Sequence, residues 1–104
     1  MMRRYSKETL HRLRNLIPIT ELIVHVLDIP AKTRDGYLRF LCPLCSEFLT
    51  ACHPKTNLAR CFRCECNFNP IDLVMVVKGV NFREAVEFLL HIEKSLQEVK
   101  RDAG

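Results

Sequence analysis

Six cysteines are the residues of this chain best suited to chemistry, and four of them form two C-x₂-C pairs, Cys42 with Cys45 and Cys61 with Cys64. Each pair forms a tight turn that can point both sulfurs at one centre, and four thiolates at this spacing suit one tetrahedral Zn²⁺. Fifteen residues separate the pairs, enough for an antiparallel hairpin that brings the two turns together. The spacing predicts one structural zinc ion bound by these four cysteines.

The same pairs also allow disulfides, an iron site or a redox dithiol. The chain opens with a charged amphipathic stretch and not with a cleavable apolar signal, so a reducing compartment is expected, where structural disulfides are disfavoured. Thiolates alone do not separate iron from zinc, so iron stays open. A redox dithiol needs only one C-x₂-C in a βαβ setting, whereas this chain has two such pairs with hairpin-like sequence between them. A redox role is therefore disfavoured.

Two further cysteines and one histidine lie close to these pairs in the sequence. We expect Cys52 to be a small buried residue of a strand and not a ligand. Cys66 is expected to be a turn residue, although its position just after Cys64 would let it replace a ligand. His53 precedes a proline at the predicted hairpin tip, so solvent or nucleic acid is its expected neighbour.

Composition places the chain among soluble globular domains. It has 104 residues, of which 48% are hydrophobic and 27% charged, which argues against disorder. A core of this size commonly benefits from a metal that closes a long loop. No apolar run of about eighteen residues is present, so no membrane span is expected. We expect one compact cytoplasmic domain with no membrane partner.

Helices are predicted at both ends of the chain. Ser6 can cap a helix over 7–17, and Thr20 can cap a second over 21–28, so residues 1–30 form an N-terminal helical segment. After the second cysteine pair, Asn69 precedes a helix over 71–78 that Gly79 ends, and Asn81 begins another that reaches at least Leu96. Residues 99–104 are expected to be a frayed tail.

Three short strands are predicted between these helices, over 37–41, 48–53 and 58–62. The turn at 34–36 precedes the first strand, and the turn at 54–57 joins the other two. The predicted fold is a small α+β domain, a zinc ribbon over 31–98 flanked by N-terminal and C-terminal helices. It forms one compact unit with residues 1–30.

From Cys42 to about residue 92, the order of motifs resembles the N-terminal zinc-binding domain of bacterial and phage DNA primases, the Cys-His-Cys-Cys zinc finger family. That family has C-P-x-H, C-F-x-C, an apolar helix and then s-F-x-E-A-v. The chain has Cys42-Pro43-Leu44-Cys45, Cys61-Phe62-Arg63-Cys64, Ile71–Met75 and Asn81–Val86 at these places. Cys45 replaces the family's histidine, which makes the site Cys₄. Residues 65–68 occupy the usually glycine-rich exit, where Asn67 can adopt a left-handed conformation but the others cannot do so cheaply, so an exit turn of different shape is expected.

The resemblance implies a module that binds single-stranded DNA in replication or in a mobile element and works with a primase catalytic subunit or a helicase. A primase also needs an acidic catalytic domain, and the chain ends at Gly104, so no enzyme activity is expected of it alone. Two alternatives stay open. One is a regulatory module that presents the helix over 82–99 to a protein, and the other is a subunit of a split primase.

Charge placement supports a nucleic-acid surface. Residues 1–64 carry eleven Lys and Arg against five Asp and Glu, whereas residues 65–104 carry five against seven. Cations attract phosphates, and an aromatic face at Phe40 or Phe62 could stack a base. The alternatives are that Phe62 packs beneath the metal and that the arginines are only solvated. The predicted DNA contacts are Arg34, Arg39, Lys55, Arg60, Phe62 and Arg63.

Overall fold

Helices at both ends of the chain enclose one face of a central sheet. The computed structural model describes residues 5–53 and 55–103, and side chains as far as residue 96. The helices are α1 (Lys7–Asn15), α2 (Ile19–Glu21, continued as a π-helical turn over Leu22–Val26), α3 (Pro70–Lys78) and α4 (Phe82–Ala103). None of these helices is long and apolar enough to cross a membrane.

The sheet has five antiparallel strands in the order β1-β2-β3-β4-β5, so each strand pairs with its neighbours in sequence. The strands are β1 (Ala31–Arg34), β2 (Tyr37–Phe40), β3 (Thr50–His53), β4 (Leu58–Cys61) and β5 (Cys66–Phe68). The predicted α+β class is confirmed, but the prediction of three strands is wrong because it missed the two edge strands. β1 joins β2 through Asp35 and Gly36, with φ of 54° and 82°, as a tight two-residue hairpin requires.

The helix boundaries show which capping signals were correct. Ser6 Oγ accepts a hydrogen bond from the Thr9 amide, and Asn69 and Asp72 form a reciprocal capping box before α3. Gly79 ends α3 with a φ of 63°. Thr20 is not a cap, because Pro18 is the residue before α2 and the helix begins one position before Thr20. The tail over 99–104 stays a prediction, since its side chains and Gly104 lie outside the described residues.

The core lies between the helices and the inner face of the sheet. Phe40, Cys52 and Phe68 project inward from three strands and are 3% exposed or less. They belong to one cluster with residues of all four helices, including Leu13, Leu22, Leu73 and Leu89. Across the helical layer, Arg12 of α1 forms two hydrogen bonds of 2.9 and 3.0 Å with Glu93 of α4. One face of the sheet is thus buried, and the other is left for function.

Candidate metal centre and nucleic-acid face

The four paired cysteines meet at the end of the sheet where β2 and β4 finish. Their sulfurs all lie within 4.8 Å of one another. Cys42 Sγ is 3.9 Å from Cys64 Sγ, and Cys45 Sγ is 3.7 Å from Cys61 Sγ. With Zn–S bonds of about 2.3 Å, the sulfurs of a regular tetrahedron lie about 3.8 Å apart. The cluster therefore fits one zinc ion with four thiolate ligands, two from each turn.

Backbone geometry holds the two cysteine turns in matching conformations. The Leu44 amide donates to Cys42 Sγ and the Cys64 amide donates to Cys61 Sγ, both at 3.4 Å. The residue after each second cysteine has a positive φ, 60° at Ser46 and 54° at Glu65. Asn67 does not take the left-handed conformation that was open to it, because it lies in β5, and Glu65 makes the turn instead.

The thiols have unequal affinities for protons when no cation is bound. Burial opposes ionisation of Cys61, but the Cys64 amide and neighbouring hydrogen bonds outweigh it and lower the pKa of Cys61 to about 6. Burial raises the pKa of Cys45, although a hydrogen bond from the Glu47 backbone opposes it, and burial together with hydrogen bonds from the other three thiols raises the pKa of Cys64. Several crowded thiolates repel one another, whereas a dication stabilises all four in the charged form. The site thus has the chemistry of a metal centre.

The other two cysteines and His53 lie outside the sulfur cluster. Cys52 is buried in β3, as predicted, and burial raises its pKa to about 12, which makes it an inert core thiol. Cys66 is half-buried, and the prediction of a turn residue is wrong because it begins β5 opposite Cys61. His53 is exposed at the end of β3 and does not belong to the group of ligands.

A family model described as CHC2 zinc finger, of the DnaG type, matches residues 5–103, nearly the whole chain. The chain belongs to the CHC2 zinc finger family. No curated protein matches it in a search. The predicted resemblance is therefore confirmed, and the matched range also includes the N-terminal helices and both edge strands. This CHC2 zinc finger carries Cys45 at the position of the family's histidine, and its four sulfurs still form a complete set of zinc ligands.

The outer face of the sheet is basic. Side chains of directly opposite residues in antiparallel strands share a face. One such row crosses all five strands and consists of Lys32, Arg39, Ala51, Arg60 and Asn67. Arg34 lies on the same face, two residues after Lys32. None of the residues in the five strands is Asp or Glu, so within the sheet these cations face no strand carboxylate.

A groove of 420 Å³ runs along this outer face. Arg39, Arg60 and Phe62, three of the six predicted DNA contacts, line it together. Phe62 is 60% exposed, so the alternative that it packs beneath the metal is wrong. Phe40 is fully buried on the inner face and has no surface to offer a base.

The structure separates the other three predicted contacts from the groove. Arg34 is exposed at the end of β1, and Lys55 is exposed in the turn between β3 and β4. Arg63 is exposed in the second cysteine turn, where its Nη1 lies 3.9 Å from Glu47 Oε1. These cations surround the sheet without lining the groove.

Sequence reasoning missed three residues of the outer face. Lys32 extends the basic row onto β1, and Tyr37 and Asn67 line the groove. Lys32 and Asn67 were missed because they lie on the unpredicted edge strands. The Asp35-Gly36 pair was the available signal, since this dipeptide between two short strands favours a hairpin.

Proposed function

We propose that this CHC2 zinc finger binds single-stranded DNA across the outer face of its sheet, with zinc in a structural role. The basic row that crosses all five strands is the observation that carries the proposal. Phosphates supply most of the affinity of nucleic-acid binders, and their contacts are with cations of this kind. The metal centre fixes the end of β2 relative to the end of β4, and so fixes the spacing of the row.

Exposed aromatic rings favour a single strand over a duplex. Phe62 is 60% exposed and Tyr37 is 48% exposed, and both line the groove between the arginines. Binders of single strands combine such rings with a cationic groove, because an unpaired base can stack on an aromatic face. A paired base offers only its edges, so these rings would contribute little to duplex binding.

We propose a binding module and not an enzyme. Four thiolates complete the tetrahedral shell of zinc and leave no position for a substrate or a water ligand. In this proposal, a primase catalytic subunit or a helicase performs the reaction, and the module holds the template. If the chain is instead a subunit of a split primase, primer synthesis will depend on mixing the two chains.

Charge reversal on the basic row tests the proposal. Arg60→Glu places an acid within the row, on β4, whereas Lys94→Glu makes the same change of charge on the exposed surface of α4. Binding of a fluorescein-labelled dT₂₀ strand would be followed by anisotropy at two salt concentrations. We expect Arg60→Glu to weaken binding about tenfold or more and to reduce the salt slope by about 0.7, while Lys94→Glu has little effect. Equal affinities for the two variants would refute the proposal.

A protein-binding role is the alternative that one observation favours. Leu44 and Leu49 are 57% and 42% exposed, and the Phe62 amide donates to the Leu49 carbonyl at 3.0 Å, so an apolar patch borders the cysteine turns. Apolar patches of this kind occur at protein interfaces. Under this alternative, Arg60→Glu leaves partner binding unchanged and Leu44→Ser weakens it. If the helix over 82–99 binds the partner instead, neither change weakens partner binding.

A further inference from the structure

We propose that the groove over Ala51 is a slot for one unpaired nucleobase, inserted between Arg39 and Arg60, with guanine preferred over adenine. This inference rests on the proposed binding of single-stranded DNA. It goes further because it names the part of the nucleic acid that enters the groove. If the cations only attracted phosphates, the affinity for DNA would not depend on which base lies over the sheet. A slot makes the affinity depend on the identity of the base at one position.

The register of the sheet creates the slot. Ala51 of β3 lies directly opposite Arg39 of β2 on one side and Arg60 of β4 on the other. The outer strands of this trio are about 9.5 Å apart, twice the usual spacing between neighbouring strands. A base stacked between two planar guanidinium groups needs about 7 Å, twice the 3.4 Å rise per base. The methyl group of Ala51 leaves that gap open, which a larger side chain would fill.

The walls of the slot suit a flat ligand. Arg39 is half-buried, and within the described residues its Nε has no hydrogen-bond partner. Phe62 and Tyr37 line the same groove, so aromatic rings accompany the two guanidinium groups. Guanidinium groups and aromatic rings both stack on bases. The missing partner concerns this buried Nε alone, and a buried N–H group without an acceptor costs free energy.

The edge chemistry of the slot selects the base. Arg60 Nη1 donates to Asn67 Oδ1 at 3.4 Å, which occupies the amide oxygen of Asn67 and leaves its Nδ2 free to donate. Arginine itself has only donors. Guanine offers two acceptors, O6 and N7, on one edge, whereas adenine offers N7 beside its own N6 donor. Because Arg39 and Arg60 stack on the two faces of the base, they cannot also donate to its edge, and the Nδ2 group of Asn67 is the donor that meets the edge and favours guanine.

The test uses the zinc-loaded full chain and four labelled dT₂₀ strands, one unmodified and three with a central dG, dA or abasic residue. We expect the dG strand to bind about fivefold more tightly than the dA strand, and the abasic strand to bind no more tightly than the unmodified strand, whose thymines are equally available to the slot. Ala51→Leu should remove these differences while it keeps the salt slope, because no charge changes. Thr33→Leu is the matched control, an enlargement on an exposed residue of β1 outside the groove.

The outcomes separate this inference from the proposed function. Salt-dependent binding with equal affinity for the dG, dA and abasic strands would overturn the slot and leave the basic face intact. A dG preference that survives Ala51→Leu would also overturn it. Absence of DNA binding by the unmodified chain, or DNA binding that Arg60→Glu does not weaken, would instead refute the proposed function. The strand series on the unmodified protein keeps the slot testable even if Ala51→Leu does not fold.

Discussion

Replacement of Asn57 should strongly lower the free energy of unfolding. Asn57 lies in the turn between β3 and β4, is 9% exposed and has a φ of 56°. Its Oδ1 accepts a hydrogen bond from the Ile19 amide at 2.8 Å. Its Nδ2 donates to the carbonyls of Ile17 and Arg14, both at 2.7 Å. One side chain thus satisfies the backbone between α1 and α2 and attaches both helices to the hairpin.

The cost of Asn57→Ala follows from these contacts. The buried Ile19 amide and Ile17 carbonyl would lose their partners, at about 1–3 kcal/mol for each buried unsatisfied group. Alanine in the left-handed region adds about 1–2 kcal/mol. We therefore expect a loss of about 3–8 kcal/mol, against a total stability of about 5–15 kcal/mol for a small domain.

Two further variants divide this loss between its causes. Asn57→Gly removes the hydrogen bonds but tolerates the positive φ, so it should be about 1 kcal/mol less destabilising than Asn57→Ala. Asn57→Asp keeps the shape and the acceptor for Ile19, but its carboxylate faces two carbonyls that need donors. It should therefore destabilise the fold, and less at acid pH, where a protonated Asp can donate once.

Urea denaturation followed by circular dichroism would measure these differences. Zinc must be held at one free concentration in all samples, because a bound metal adds stability by mass action. Hydrogen exchange should show the largest loss of protection in α1 and α2. Unfolding of Asn57→Ala within 0.5 kcal/mol of the unmodified chain would refute the reasoning, since the three contacts would then contribute nothing.

Three other predictions concern the metal centre. Serine at any one of the four clustered cysteines should lower the zinc content, measured by mass spectrometry of the purified protein. Cys52→Ala and Cys66→Ser are the controls and should retain one zinc per chain. Full zinc content in a ligand variant would contradict the assignment. Glu65→Gly should raise stability by about 0.5–1 kcal/mol in urea titration, because it relieves a φ of 54°, and a loss of stability would show that the Glu65 side chain makes a needed contact. Acidification should release zinc, as seen with a chromogenic chelator, because protons compete for the thiolates, and retention of zinc at pH 3 would contradict thiolate ligation. The pKa of Cys61, about 6 without a cation, keeps this thiol charged to lower pH than Cys45 and Cys64, whose pKa values are raised.

The metal centre could be predicted almost completely from the sequence. Its ligands lie in two four-residue turns, and the geometry of such a turn depends on residues that are adjacent in the chain. The same holds for the caps at Ser6 and Asn69, which bond to backbone amides three residues away. The edge strands could not be predicted as well, because a strand of three or four residues carries too short a pattern and is stabilised by its neighbour.

The sequence by itself determined the zinc ligands, the family and the basic character of the first half of the chain. Only the tertiary structure decided which of those basic residues lie together, since the outer row depends on the register between strands and places Ala51 between Arg39 and Arg60. It also revealed the role of Asn57, whose partners lie 38 to 43 residues away. Local signals determine turns and caps, whereas a surface or a buried contact exists only after distant segments have packed together.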